Sequence, residues 1–143
     1  MRHEINPFID GLLIEVNKVV DADTVYLLER DRSVKVYRTI ENRDTILRLS
    51  GMGCKMFTFI TFRLEPGKDT VILKPETYME LCNVKSEKTF YNAIQELIQA
   101  NIIAKVSGKK STYYINPSFM FFGSRIKAFP DKIQVTHTYK RPQ

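Results

Sequence analysis

Hydrophobic and polar positions follow different periods along residues 70–117, and the changes of period predict a series of strands and helices. A β-branched run at 70–73 has the composition of a strand and stops before Pro75, which suits the first position of a helix because no N–H is needed there. Over 76–83 the apolar residues have helical spacing for about two turns. Ser86 is a suitable N-cap for a longer helix over 87–101. Its apolar stripe at i, i+3, i+4, i+7 and i+8 is Phe90, Ala93, Ile94, Leu97 and Ile98.

Two short β-branched runs, 102–106 and 111–115, enclose the segment Ser107-Gly108-Lys109-Lys110. A glycine-containing turn between such runs predicts a β-hairpin, here with two lysines at its tip. Strand, helix, tight turn, longer helix and basic hairpin follow one another in the order of a winged helix-turn-helix. The sequence therefore predicts an α+β fold, a winged helix-turn-helix preceded by a small antiparallel β-meander.

The meander is predicted from three strand-like runs, 12–20, 24–28 and 33–40, which polar turns separate. A sheet of three strands needs one face covered, so we expect it to pack on the helical part or on a second copy, or to line a partner. The sequence predicts three parts of the chain: residues 1–43 are an N-terminal β-meander extension, 44–125 the winged helix-turn-helix domain, and 126–143 a C-terminal strand and basic tail.

Residues 44–65 carry mixed signals. Apolar residues have helical spacing, with Asp44 or Thr45 as candidate N-caps, but the aromatic and β-branched residues of 57–62 favour a strand. Gly51 and Gly53 each weaken a helix by about 1 kcal/mol. We predict a helix here because the winged-helix order needs one before residue 70.

Two apolar stretches lie beyond the hairpin. The run at 119–122 is predicted to be core, and an exposed run of this kind would instead indicate a dimer interface. Apolar and polar residues alternate over 133–138 and predict a last strand.

The excess of positive charge is concentrated in the second half of the 143-residue chain. The net charge is +6, and residues 84–143 contain ten Lys/Arg against three Asp/Glu. A basic excess that begins just before the longer helix is typical of a phosphate-neutralising surface, although solvated basic faces are common. No apolar run reaches the roughly 20 residues of a membrane span, and the N-terminus has no signal-peptide pattern. We expect a cytoplasmic protein of a bacterial cell, with no membrane partner and with Cys54 and Cys82 buried.

The inventory of reactive side chains argues against catalysis. His3 and His137 lie at opposite ends of the chain, so the sequence contains no paired-histidine metal motif. DNA nickases that attack with a tyrosine need such a pair. Glycine-rich phosphate loops and the Gly-x-Ser-x-Gly elbow are also missing. We predict no enzyme activity, no catalytic residue, no metal site and no cofactor.

A binding function has a mechanism. The first turns of a recognition helix present side chains to base edges in the major groove, where Asn and Gln pair with adenine and Lys with guanine. Tyr91 contacts a sugar or a base, or simply packs, and one of Tyr113 and Tyr114 is expected in the core. For each of the DNA-binding residues named next, the alternative is that its side chain is merely solvated. The predicted DNA-binding residues are Lys85, Ser86, Lys88, Thr89, Tyr91, Asn92 and Gln95 on the helix, and Lys105, Lys109, Lys110 and Ser111 on the hairpin.

Two stretches resemble known proteins. Residues 86–97 with Asn101-Ile102-Ile103 resemble the generic recognition-helix pattern of winged helix-turn-helix proteins. Residues 111–123, with Tyr113-Tyr114-Ile115-Asn116-Pro117 and the closing Gly123, resemble the ending of the plasmid replication protein family RepL. The resemblance covers about residues 45–125. It implies binding of double-stranded DNA at a plasmid or phage replication origin, without catalysis by the protein itself.

Three roles follow as hypotheses. The first is a replication initiator that acts as a homodimer, alongside other replication or phage proteins. The second is a winged-helix transcriptional regulator, since the fold alone does not separate the two. The third is a protein-interaction or virion component of the same fold that does not bind DNA. A steep loss of binding with salt would separate the first two from the third.

Overall fold

The computed structural model describes residues 6–29 and 33–142, and the chain divides into two compact units, 1–32 and 33–143. The first unit contains the antiparallel hairpin of β1 (Val16–Asp21) and β2 (Thr24–Glu29). Ala22 in the two-residue turn has φ 49°, the left-handed conformation that tight hairpin turns use. The first two predicted strands are therefore confirmed.

The third predicted strand does not join this hairpin. Only β3 (Lys35–Val36) forms within 33–40, and it pairs antiparallel with β7 (Met120–Phe121) in the second unit. The Tyr37 N–H extends the pairing by donating to the Phe119 carbonyl at 2.9 Å. Pairing with the buried strand β7 packs Val34 and Tyr37 against the core, and this apolar burial stabilises the pairing. The prediction of a three-stranded meander was wrong.

Residues 40–61 form two helices where one was predicted from Asp44 or Thr45. These are α1 (Ile40–Leu47), capped by Thr39, and α2 (Gly51–Thr61), capped by Ser50, whose hydroxyl accepts the Gly53 N–H at 3.0 Å. The cap places both glycines in the first turn of α2, where they do not interrupt a longer helix. The aromatic run that favours a strand is helical because this geometry buries the residues Met56, Phe57, Phe59 and Ile60.

Strand β4 (Thr70–Ile72) and the helices α3 (Pro75–Leu81) and α4 (Glu87–Gln99) occur where they were predicted. Each helix is followed, two residues after its end, by an asparagine in the left-handed region, Asn83 at φ 53° and Asn101 at φ 59°. In each case the next N–H reaches back to a carbonyl of the last turn, Val84 to Met79 at 2.9 Å and Ile102 to Leu97 at 3.0 Å. This Schellman motif satisfies the terminal carbonyls and turns the chain sharply.

The predicted hairpin is β5 (Ile103–Lys105) with β6 (Thr112–Ile115), and β4 completes an antiparallel sheet in the order β4-β6-β5. Helix α4 packs between this sheet and the helices α2 and α3. The apolar stretch before Gly123 is core, as predicted, because Phe119, Met120 and Phe121 are buried. The other buried side chains include Ile60, Val71, Tyr78, Phe90, Ile94, Leu97, Tyr113 and Ile115.

Two further predictions were wrong. After α5 (Arg125–Ala128) and a 3-10 turn (Pro130–Lys132), residues 133–142 form neither strand nor helix. Ile133 and Val135 are 52% and 77% exposed, so the alternation at 133–138 buries no apolar face that would favour strand pairing. Cys54 is exposed and Cys82 is only half-buried, because Cys54 lies off the buried stripe of α2 and Cys82 follows the end of α3. The result is a mixed α+β fold with small antiparallel sheets.

Candidate nucleic-acid interface

Helix α4 separates its apolar and polar side chains cleanly. Phe90, Ala93, Ile94 and Leu97 are buried against the core, as the predicted stripe requires. Among the predicted site residues on the other side, Thr89 is half-buried. The others are solvent-exposed: Lys85, Ser86, Lys88, Tyr91, Asn92 and Gln95. Spacings of three and four residues place Lys88, Tyr91, Asn92 and Gln95 on one helical face. We call these four residues the α4 face.

The start of α4 is defined by Ser86, as predicted. Its hydroxyl accepts the Thr89 N–H at 3.4 Å, and Glu87 adds a carboxylate in the first turn, where the helix dipole favours negative charge. The Asn83 turn leaves only a few residues between α3 and α4. The side chains of the first turn of α4 are therefore held at a fixed position relative to α3.

Glu96 fixes the rotation of α4, and sequence reasoning missed it. One carboxylate oxygen accepts the Ser50 N–H at 2.7 Å, and the other lies 2.5 Å from the Ser50 hydroxyl oxygen. The carboxylate thus sits at the N-terminus of α2, where the helix dipole favours it. A β-carbon at Gly53 would lie 2.6 Å from the Glu96 carboxyl carbon, so this contact requires glycine at position 53. A serine cap followed by glycine three residues later was the available signal, but its partner lies 46 residues away.

An aromatic cluster packs α4 against α2 and α3. Tyr78 on α3 is fully buried, with ring centroids 5.2 Å from Phe59 and 5.5 Å from Phe90. Phe90 in turn meets the exposed ring of Tyr91 edge-on at 5.1 Å. The Tyr78 hydroxyl has no hydrogen-bond partner within the described ranges, and burial followed by the nearby Cys82 raises the pKa of Tyr78 above its ordinary 10.0.

Lys105 lies on the helix-facing side of the sheet. It pairs in register with Tyr113, and cross-strand partners point to the same face. Tyr113 is buried, and burial followed by the nearby Tyr91 raises the pKa of the Tyr113 phenol. The structure therefore brings Lys105 and Tyr91 to the same side of the molecule. As predicted, one of the neighbours Tyr113 and Tyr114 belongs to the core, because Tyr113 is buried while Tyr114 is 46% exposed.

The hairpin loop carries the remaining predicted residues in different roles. Ser111 is half-buried at φ 60°, and its carbonyl accepts the Leu73 N–H at 2.8 Å, so its backbone fixes the loop to the end of β4. Lys110 is exposed. Lys109 lines a concavity beside β4 together with residues of the α2–β4 loop and of α3. Thus Lys109 is grouped with residues that the sequence did not single out.

The basic side chains of this region are unpaired within the part of the chain that the structure describes. The ion pairs found there join Arg43 to Asp44 and Lys68 to Glu65. None involves Lys85, Lys88, Lys105, Lys109 or Lys110. Their positive charge is therefore available to an external anion.

Two further observations concern residues 6–29 and 33–142. No helix there is long and apolar enough to cross a membrane. Among the same residues, no group of three or more His, Cys, Asp or Glu side chains could hold a metal ion.

Comparison with known proteins yields one distant relative. The chain is 25% identical over 172 aligned positions to the "20.9 kDa protein" of Zymomonas mobilis subsp. mobilis, an alignment covering 99% of this chain and 92% of the relative. The name of that protein states its mass and no activity. No protein-family model matches the chain, and no solved structure matches it significantly.

Proposed function

We propose that residues 51–115 form a winged helix-turn-helix that binds double-stranded DNA sequence-specifically, with α4 as the recognition helix. The observation that carries this proposal is the uncovered polar face of α4 within the element order α2-β4-α3-α4-β5-β6. In a winged helix the same order places the second helix of the turn in the major groove and the hairpin beside it.

The side chains of the α4 face suit base recognition. Asn92 and Gln95 each offer a donor and an acceptor, the pair that adenine N7 and N6 require, and Lys88 donates to guanine O6 and N7. Ser86 and Thr89 at the helix start suit a phosphate oxygen, because hydroxyl groups and the first backbone N–H groups of a helix donate hydrogen bonds to phosphate. In this arrangement Tyr91 touches a sugar or base from its exposed edge.

Lysines around this face supply affinity that is independent of sequence. Lys85 precedes the helix cap, and Lys105 and Lys110 belong to the β5–β6 hairpin. Each lysine that neutralises a phosphate releases counterions, so the DNA affinity falls as the salt concentration rises. The proposal thus divides the site into a base-reading helix and a phosphate-binding hairpin.

The biological role within this proposal is that of a plasmid or phage replication initiator, which binds its origin as a homodimer without catalysis. The resemblance of residues 111–123 to RepL proteins supports it. The distant relative of matching overall extent is described by mass alone and adds no argument for or against this role.

A second candidate, docking of another protein, is favoured by the first unit. Its residues 6–25 bury almost nothing, and several large apolar side chains there are exposed, Phe8 by 83% and Leu13 by 91%. Apolar surface of this kind marks protein contacts. This candidate predicts binding that changes little with salt.

Fluorescence anisotropy with random duplex DNA at two salt concentrations tests the proposal. We expect the full chain to bind, binding to weaken steeply with salt, and Asn92→Ala to remove preference among sites selected from a random pool. Lys85→Ala/Lys110→Ala, which removes two of the lysines assigned to phosphate, should lower affinity for every duplex. Lys127→Ala/Lys132→Ala, which removes the same charge from exposed positions outside this region, is the matched control. Absence of binding at low salt would overturn the proposal.

A further inference from the structure

A basic concavity of about 450 Å³ lies beside strand β4, outside the α4 face. Three segments form its walls: the loop between α2 and β4, the first turn of α3, and the β5–β6 loop. We call it the β4 concavity. Its polar lining residues are Arg63, Glu65, Lys68, Thr70, Lys74, Thr77, Lys109 and Thr112.

Positive charge dominates this lining. Four of the side chains are cationic and one, Glu65, is anionic, and Glu65 is already paired with Lys68. Arg63, Lys74 and Lys109 have no ion-pair partner among the residues that the structure describes. Cationic groups that converge on a concave surface focus the local potential and raise the concentration of anions there.

Backbone hydrogen bonds join two of the walls to each other and attach the third to the segment that follows β7. The Leu73 N–H donates to the Ser111 carbonyl at 2.8 Å, which joins the residue before Lys74 to the loop that carries Lys109. The Gly67 N–H donates to the Phe122 carbonyl at 2.8 Å and holds the loop that carries Arg63 and Lys68. The cations therefore come from segments whose backbone is hydrogen-bonded to other parts of the unit, and their side chains are exposed to solvent.

We propose that the β4 concavity binds phosphate groups of the same DNA backbone whose bases α4 reads, and this inference rests on the proposed function. The hydroxyl groups of Thr70 and Thr77 stand beside the cations, and phosphate oxygens accept hydrogen bonds from both kinds of donor. Lys109 makes the concavity continuous with the β5–β6 hairpin. The concavity adds affinity and register, and no base preference.

The central test is the salt dependence of duplex binding by the full-length Arg63→Ala/Lys74→Ala variant. Each phosphate contact contributes about 0.9 to the slope of log affinity against log salt. We expect the double variant to lose about two contacts' worth of slope, while its ratio of specific to random binding stays that of the wild type. Lys127→Ala/Lys132→Ala should keep the wild-type slope. Equal melting temperatures would exclude a folding defect.

The outcomes separate this inference from the proposed function. Binding by the wild type with an unchanged slope in Arg63→Ala/Lys74→Ala overturns the inference and leaves DNA recognition by α4 standing. An equal loss in the control pair overturns it as well, because the effect would then be general charge. Failure of the wild type to bind any duplex overturns both.

A second variant changes the charge in the other direction. Glu65→Gln removes the one carboxylate of the lining and frees Lys68, so we expect tighter binding of random duplex and a steeper slope. A further arm adds inorganic pyrophosphate. If pyrophosphate raises the melting temperature of the wild type but not of Arg63→Ala/Lys74→Ala, and the DNA slopes are equal, the concavity takes a small free phosphate compound and the backbone assignment is wrong.

Discussion

The two units of the chain form secondary structure by different means. In the first, β1 and β2 pair through a two-residue turn, and their apolar side chains Val16, Val20 and Val25 remain exposed. In the second, β4 is only three residues long, yet its Val71 is buried in the hydrophobic core. A two-stranded hairpin without a covered face is marginally stable in water, whereas a short strand over a core shares in the cooperativity of the whole unit. Regular backbone pairing and stability are thus separate properties here.

Hydrogen exchange gives the largest expected contrast between the units. The amides of α4 should exchange only through global unfolding, at a cost of about 5–15 kcal/mol for a domain of this kind. The amides of β1 and β2 should open at a small fraction of that cost, because the side chains of β1 are almost all exposed. Exchange followed by NMR or mass spectrometry measures both in one sample. Equal protection of the hairpin and α4 would contradict this assignment of stability.

The same substitution in each unit gives the next largest effect. Leu97 is fully buried, so Leu97→Ala should lower the free energy of unfolding by about 2–5 kcal/mol. Leu13 is 91% exposed, and Leu13→Ala should change it by less than about 0.5 kcal/mol. Urea denaturation of the full chain measures both values. A comparable loss at Leu13 would mean that the first unit is covered and contributes to the core.

The contrast also explains which elements the sequence could predict. The cap at Ser86, the stripe from Phe90 to Leu97 and the hairpin turn at Gly108 depend on residues close in the chain, and each was predicted correctly. The pairing of β3 with β7 joins Val36 to Met120, and no local pattern specifies that choice. Local periodicity predicted a strand at 33–40 without its partner, and it predicted the run at 119–122 as core and not as a strand.

In the candidate site, too, some features follow from the local sequence and others from contacts between distant segments. Exposure of Lys88, Asn92 and Gln95 follows from their position opposite the apolar stripe, so helical spacing was sufficient. The contact between Glu96 and Ser50 and the grouping of Lys109 with Arg63 depend on how distant segments meet. Those features required the tertiary structure.

Glu96 offers a smaller effect that sharpens the comparison, because it is a polar tie within the packed unit. Glu96→Ala removes the acceptor for the Ser50 N–H and a charge at the start of α2, and should lower the free energy of unfolding by about 1–2 kcal/mol. Glu80→Gln, at an exposed position of α3, is the control and should have little effect. Thermal denaturation measures both. Equal effects of the two substitutions would show that the Glu96 contact adds nothing.

Gly53 makes this prediction testable as a coupling. In the wild type Gly53→Ala displaces the Glu96 carboxylate and loses its hydrogen bonds to Ser50. In the Glu96→Ala background the three atoms nearest to that β-carbon are absent, so the same substitution should be far less costly and gain the higher helix propensity of alanine. A double-mutant cycle with additive effects would contradict the proposed contact.

The smallest effect comes from a polar group inside the core, and its sign is opposite to that of the others. Tyr78→Phe removes a hydroxyl that has burial but no described hydrogen-bond partner, and should raise the free energy of unfolding by about 1 kcal/mol at pH 7. Tyr114→Phe, at a half-exposed position of β6, is the matched control with no expected change. Urea denaturation measures both. Destabilisation by Tyr78→Phe would mean that the hydroxyl does have a partner.

The pH dependence of stability in the same two variants tests whether burial of the Tyr78 hydroxyl is the cause. Burial raises the pKa of Tyr78 in the folded state above 10.0, so the folded chain keeps this proton while the unfolded chain loses it. Stability is therefore complete below pH 10 and falls as the pH rises through the unfolded and then the folded pKa. Tyr78→Phe should reduce that alkaline fall, and Tyr113, whose pKa burial also raises, should leave part of it. An identical fall in Tyr78→Phe and Tyr114→Phe would show that Tyr78 does not titrate in an apolar environment.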